Sequence, residues 1–124
     1  MQATPRKLTT HQKAVLIHAL VMFPDQQAAI FYYPAAEDAL SYAEDFLTVF
    51  KAVGWNVNDA EPAEIAIAPS AGLAFLVSRE SNLPPGAEAL RDTLRICSIE
   101  VQTHIDPARK ITSSSVVLFI GSPI

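Results

Sequence analysis

The side chains able to do chemistry are few in this chain, and their spacing sets them apart from one another. His11 and His18 are separated by seven positions on one helical pattern, about 10 Å along the axis, which is too far to ligate a single metal. His18 is expected to border the core and His11 to face water. His104 and Asp106 fall on one face of an alternating strand, with Glu100 and Gln102 extending the row, and this reads as a wet polar surface. Cys97 continues the apolar stripe of Leu90 and Leu94, so its thiol is expected to be buried and inert. No Gly-x-Ser-x-Gly elbow exists, and Ser113, Ser114 and Ser115 have no base near them in sequence. The carboxylate groups Glu37 with Asp38 and Glu61 with Glu64 read as solvated charge. No catalytic residue, metal ligand or cofactor is therefore expected.

A ligand loop can still be nominated. In an open sheet, ligands lie beyond the carboxyl ends of the strands at a switch point, here the loops after the first and third strands. The first carries Tyr33-Pro34-Ala35-Ala36-Glu37-Asp38; it has no glycine to let the backbone approach a phosphate, which argues against a nucleotide. The second, Ser78-Arg79-Glu80-Ser81-Asn82, offers hydroxyls, an amide and a guanidinium before a helix start. The expected ligand-binding residues are Tyr33, Ser78, Arg79, Ser81 and Asn82.

The elements that would position them are marked by periodicity. Thr9 and Gln12 match a capping box, and Ala14, Ile17, Leu20 and Val21 follow at helical spacing as far as Pro24. Ala28 to Tyr33 reads as a buried first strand. A second helix shows Leu40, Ala43, Leu47 and Phe50 on one face and ends at Gly54, where a left-handed residue would fold Trp55 back onto Phe50. Trp55 to Val57 begins the second strand, Leu73 to Ser78 the third, and Pro84-Pro85-Gly86 leads a third helix that ends near Ser98. Ile99 to Asp106 alternates like an edge strand, whereas Val116 to Ile120 is apolar throughout and belongs deeper in the sheet.

Strands that alternate with helices predict an α/β fold: a mostly parallel, five-stranded, open, Rossmann-like sheet with helices on both faces and a last strand that can be antiparallel. The expected order has the second and first strands on one side, the third central, the last beside it and the fourth outermost. The 124 residues make a single domain, with residues 1–7 expected as a flexible tail. Half the residues are apolar and 18% are charged, which excludes a disordered chain. Nine basic against 13 acidic residues give a net charge of -4, which disfavours nucleic acid. No apolar helical stretch is long enough to span a bilayer, and the first residues lack the pattern of a secretory signal, so the chain reads as cytoplasmic without membrane insertion.

Several stretches together are similar to an uncharacterised bacterial α/β domain found at the C-terminal ends of membrane-anchored proteins. They are Leu8-Thr9-Thr10 with Gln12-Lys13, Ile30-Phe31-Tyr32, Ala43-Glu44-Asp45-Phe46, Gly54-Trp55-Asn56-Val57, Pro85-Gly86-Ala87 and Val116 to Gly121. The resemblance implies the α/β fold and no particular activity. The expected function is a non-catalytic module that binds a small molecule or a protein partner, with self-association through the edge strand as a homodimer. The competing expectation is an enzyme acting on a small anionic metabolite at the loop after the third strand.

Overall fold

The computed structural model describes residues 6–62, 72–77, 84–105 and 115–121. Among them run α1 (Thr10–Leu20), β1 (Gln27–Tyr32), α2 (Ala39–Ala52), β2 (Asn56–Val57), β3 (Glu61–Pro62), β4 (Leu73–Val77), α3 (Pro85–Ile96), β5 (Val101–Ile105) and β6 (Ser115–Ile120). The sheet order is β2-β1-β6-β4-β5, and β3 also pairs with β1. The α/β class and the mostly parallel sheet expected from the sequence are both present. The apolar last strand, β6, lies between β1 and β4, deeper than the order expected for it, and among the described strands the polar β5 is at the edge as expected.

Strand direction decides where the helices go. β6 runs parallel to β1 but antiparallel to β4, while β4 and β5 are parallel to each other. The two halves of the sheet therefore point in opposite directions. The crossovers β1-α2-β2 and β4-α3-β5 both step outward from the centre, one to each edge. If all strands shared a direction, two right-handed crossovers stepping opposite ways would put their helices on opposite faces. Inverting the second pair brings both helices to the same face. This is why the described helices form one layer on that face. Residues of α1, α2 and α3 join Ile30, Leu73, Phe75, Val116, Leu118 and Ile120 in a single core. The alternate residues Leu76, Val117 and Phe119 make a smaller cluster on the other face, with Phe31 and Tyr33 against it.

With α2 packed over β1, β2 and β6 and α3 over β5, a gap is left above the middle of the sheet, and α1 fills it by contacting both helices. Its entry is set by the expected capping box: the Thr9 hydroxyl accepts from the Gln12 backbone N–H at 3.1 Å, and Gln12 Oε1 accepts from the Thr9 N–H at 2.9 Å. Leu16 and Leu20 are fully buried, but Ala14, Val21 and His18 are exposed. The inward face is thus narrower than the spacing suggested, and His18 does not border the core.

The buried face of α2 is also rotated from the Leu40-Ala43-Leu47-Phe50 stripe. Leu40 is exposed, and Ala39, Tyr42, Ala43, Phe46, Val49 and Phe50 point inward. Rings bury more area than leucines and prefer edge or offset contact, so aromatic spacing wins. Tyr42 meets Phe46 at 5.1 Å between ring centroids, Phe46 meets Phe50 at 6.4 Å, and Phe50 stacks on Trp55 at 4.6 Å. The last contact is the one expected at the helix end.

Both crossover helices stop in the same way. At α2, Gly54 is left-handed at φ 80°, Trp55 N–H reaches Phe50 O at 3.0 Å and Gly54 N–H reaches Lys51 O at 3.2 Å, the paired bonds of a Schellman cap. At α3, Ile99 N–H reaches Leu94 O at 2.8 Å and Ser98 N–H reaches Arg95 O at 3.0 Å, with Ser98 at φ 63°. Cys97 is therefore the half-exposed cap of α3 and not a buried member of the Leu90 and Leu94 stripe. A side chain in the left-handed region costs roughly 1 kcal/mol. Ser98→Gly is expected to raise the free energy of unfolding by about 0.5–1 kcal/mol and Gly54→Ala to lower it by about 1 kcal/mol, both read from urea denaturation midpoints.

Candidate functional site

The end of the sheet where β6 stops and β4 starts holds a cleft of about 660 Å³. It is lined by Arg6, Tyr42, Gly72, Leu73, Arg95, Ser98, Ile99 and Glu100. Three local structures meet there. The two central strands are closed by the Gly121 N–H donating to Gly72 O at 2.8 Å. The Schellman turn of α3 delivers Ser98, Ile99 and Glu100, with Arg95 in the last helical turn. The segment before α1 lays Arg6 across the start of α2.

Arg6 is held on every side. Its Nε donates to Asp38 Oδ2 at 3.0 Å and its Nη2 to Asp38 Oδ1 at 2.9 Å, while its backbone N–H also donates to Oδ2 at 2.8 Å. Nη2 further donates to the Gly121 carbonyl. The guanidinium carbon lies 5.1 Å from the centre of the Tyr42 ring, within cation-π range. One residue thus joins the amino-terminal segment, the start of α2 and the end of β6. The next attachment is Asp45, which accepts from the Leu8 N–H at 2.9 Å and pairs with Lys13 Nζ at 3.4 Å. Arg6 falls within the stretch expected as a flexible tail, yet it is tied down; residues 1–5 lie outside the described residues.

These contacts also correct the reading of Asp38 as solvated helix-start charge. Its side chain is 8% exposed, and it makes no capping bond to α2. The side-chain hydrogen bond from Arg6 holds its carboxyl below the ordinary value against the opposing effect of burial. Burial pushes the Tyr42 phenol up, so the ring presents a neutral hydroxyl.

Tyr33, nominated from the sequence, is not among the described residues that line this cleft. Tyr33 is half-buried at the carboxyl end of β1, its N–H donating to Ile120 O at 2.8 Å, and its ring packs in the cluster on the far face of the sheet. Ser78, Arg79, Ser81 and Asn82 lie outside the described residues, as do Glu64 and Asp106. β4, which leads to the serine-rich loop, begins level with Ile120 and Tyr32 and runs away from them over about 13 Å. The carboxyl ends of β1 and β4 are consequently at opposite ends of the sheet, and the switch-point rule applied to a parallel sheet had joined them. Among the described residues no three His, Cys, Asp or Glu side chains gather as a metal site, and no helix is long and apolar enough to cross a membrane.

No family model, curated protein or solved structure matches this chain. The cleft is accordingly read from its own chemistry.

Asp38 ties stability to pH. Because its folded value is depressed below the ordinary 3.8, its contribution is fully present above that value and is lost as pH falls through the folded one. Denaturation midpoints of the native protein and Asp38→Asn are expected to differ at neutral pH and to converge as the solution is acidified below 3.8. Parallel curves would show that the Arg6 pair does not carry the dependence.

Proposed function

We propose that this domain is a non-catalytic binding module and that its ligand is a small polar molecule carrying a carboxylate, seated in the cleft at the end of β6. The observation that carries this reading is the state of the cleft's charges. Arg6 is neutralised by Asp38, whereas Arg95 is exposed at the rim and has no ion pair among the described residues. A guanidinium presents a planar fork that matches a carboxylate with two parallel hydrogen bonds.

The neighbouring groups narrow the class. Tyr42 offers a neutral hydroxyl and Ser98 a second one. Nothing in this role requires proton transfer, and the lining groups are of the kind that orient a ligand.

The test is a thermal-shift screen of the native protein against the amino acids and short mono- and dicarboxylic acids, followed by calorimetric titration of any that stabilise it. At least one carboxylic acid of the panel is expected to raise the midpoint, and Arg95→Ala is expected to weaken its binding tenfold or more. A panel without a stabilising member, or binding that survives Arg95→Ala, would overturn the proposal.

A further inference from the structure

β5 ends the sheet, and no strand among the described residues pairs with its outer side. Val101 packs into the helix-side core, so alternation puts Gln102 and His104 on the opposite face and Glu100, the residue just before the strand, in line with them. Gln102 and Thr103 are exposed and His104 is half-buried. A strand of this kind presents a row of unpaired backbone donors and acceptors.

The side chains specify what that row fits. A two-fold axis perpendicular to the sheet would set β5 antiparallel to β5 of a second copy and keep each residue on its own face. Directly opposed residues must then share a face, so the axis passes through a residue pair. Centred on Val101, Glu100 would face Gln102 of the partner subunit. Centred on Thr103, Gln102 would face His104 of the partner subunit. Only the register centred on Gln102 sets Glu100 opposite His104 of the partner subunit, and symmetry repeats that acid-base pair on the other side of the axis. The same register stacks the two glutamine amides and places Val101 across from Thr103 of the partner subunit, a pair of β-branched residues suited to a sheet.

We infer that the chain associates with a second copy of itself through antiparallel β5 pairing centred on Gln102, giving one continuous sheet with the described helices on a single side. The inference is independent of any ligand in the cleft.

Sedimentation equilibrium of the full chain tests it, with circular dichroism confirming that each variant keeps its fold. The native protein is expected to be a dimer. His104→Glu sets like charges opposite each other twice and is expected to raise the dissociation constant about tenfold or more. Adding Glu100→Lys to that variant restores opposite charges across the axis and is expected to recover most of the affinity. A native protein that is monomeric at every concentration, a dimer indifferent to His104→Glu, or a double variant no tighter than the single one would overturn the inference.

Discussion

The reversal of strand direction between β6 and β4 is the constraint on which the rest of the molecule depends. It converts two outward right-handed crossovers from a two-sided arrangement into a one-sided one. A one-sided arrangement leaves a trough over the central strands, and the trough is filled by α1, whose Leu16 and Leu20 are fully buried there. The order of cause is topological before it is chemical: the helix at the beginning of the chain has a place because the strands near its end run in opposite senses.

The same reversal locates the cleft. Where β6 ends, β4 begins, so the turn that closes α3 and enters β5 arrives at the same end of the sheet as the start of α2. Arg6 then connects these pieces through Asp38 and the Gly121 carbonyl, with its guanidinium over Tyr42. From Tyr42 the aromatic rings continue along α2 to Trp55, so the ion pair at one end and the Schellman cap at the other are joined by a single packed column. Arg6 is worth more than an exposed ion pair because its partner is buried and because it also satisfies a carbonyl at a strand end.

Much of this was written in local sequence. The Thr9 and Gln12 box, the Gly54 turn with Trp55 folded onto Phe50, the edge character of β5 and the buried character of β6 all follow from residue types within a few positions of one another. What local sequence did not carry was direction and pairing across the chain. Whether β4 runs with or against β6 is decided by packing of the complete sheet, and the site nominated at Tyr33 and Ser78 depended on that choice. Arg6 and Asp38 are 32 residues apart, and neither has a neighbour in sequence that signals the other. Asp38 looked like ordinary solvated charge, and no motif in the sequence marks Arg95. Ser98 was hidden because its left-handed backbone normally announces itself as glycine.

The two borders of the sheet are not alike. On the β1 side, pairing is split between β2 and β3: Gln27 is matched with Asn56 but Phe31 with Glu61, so one extra residue has entered between them, and the second piece ends in Pro62, which has no N–H to donate. That border is interrupted, while β5 is continuous. Among the described residues one border is uninterrupted, so the sheet can be extended once there, and the new outer borders are again the interrupted kind. Among the described residues, growth by strand addition through β5 is therefore self-limiting, because the interrupted border opposes the open-ended stacking that makes exposed strands hazardous.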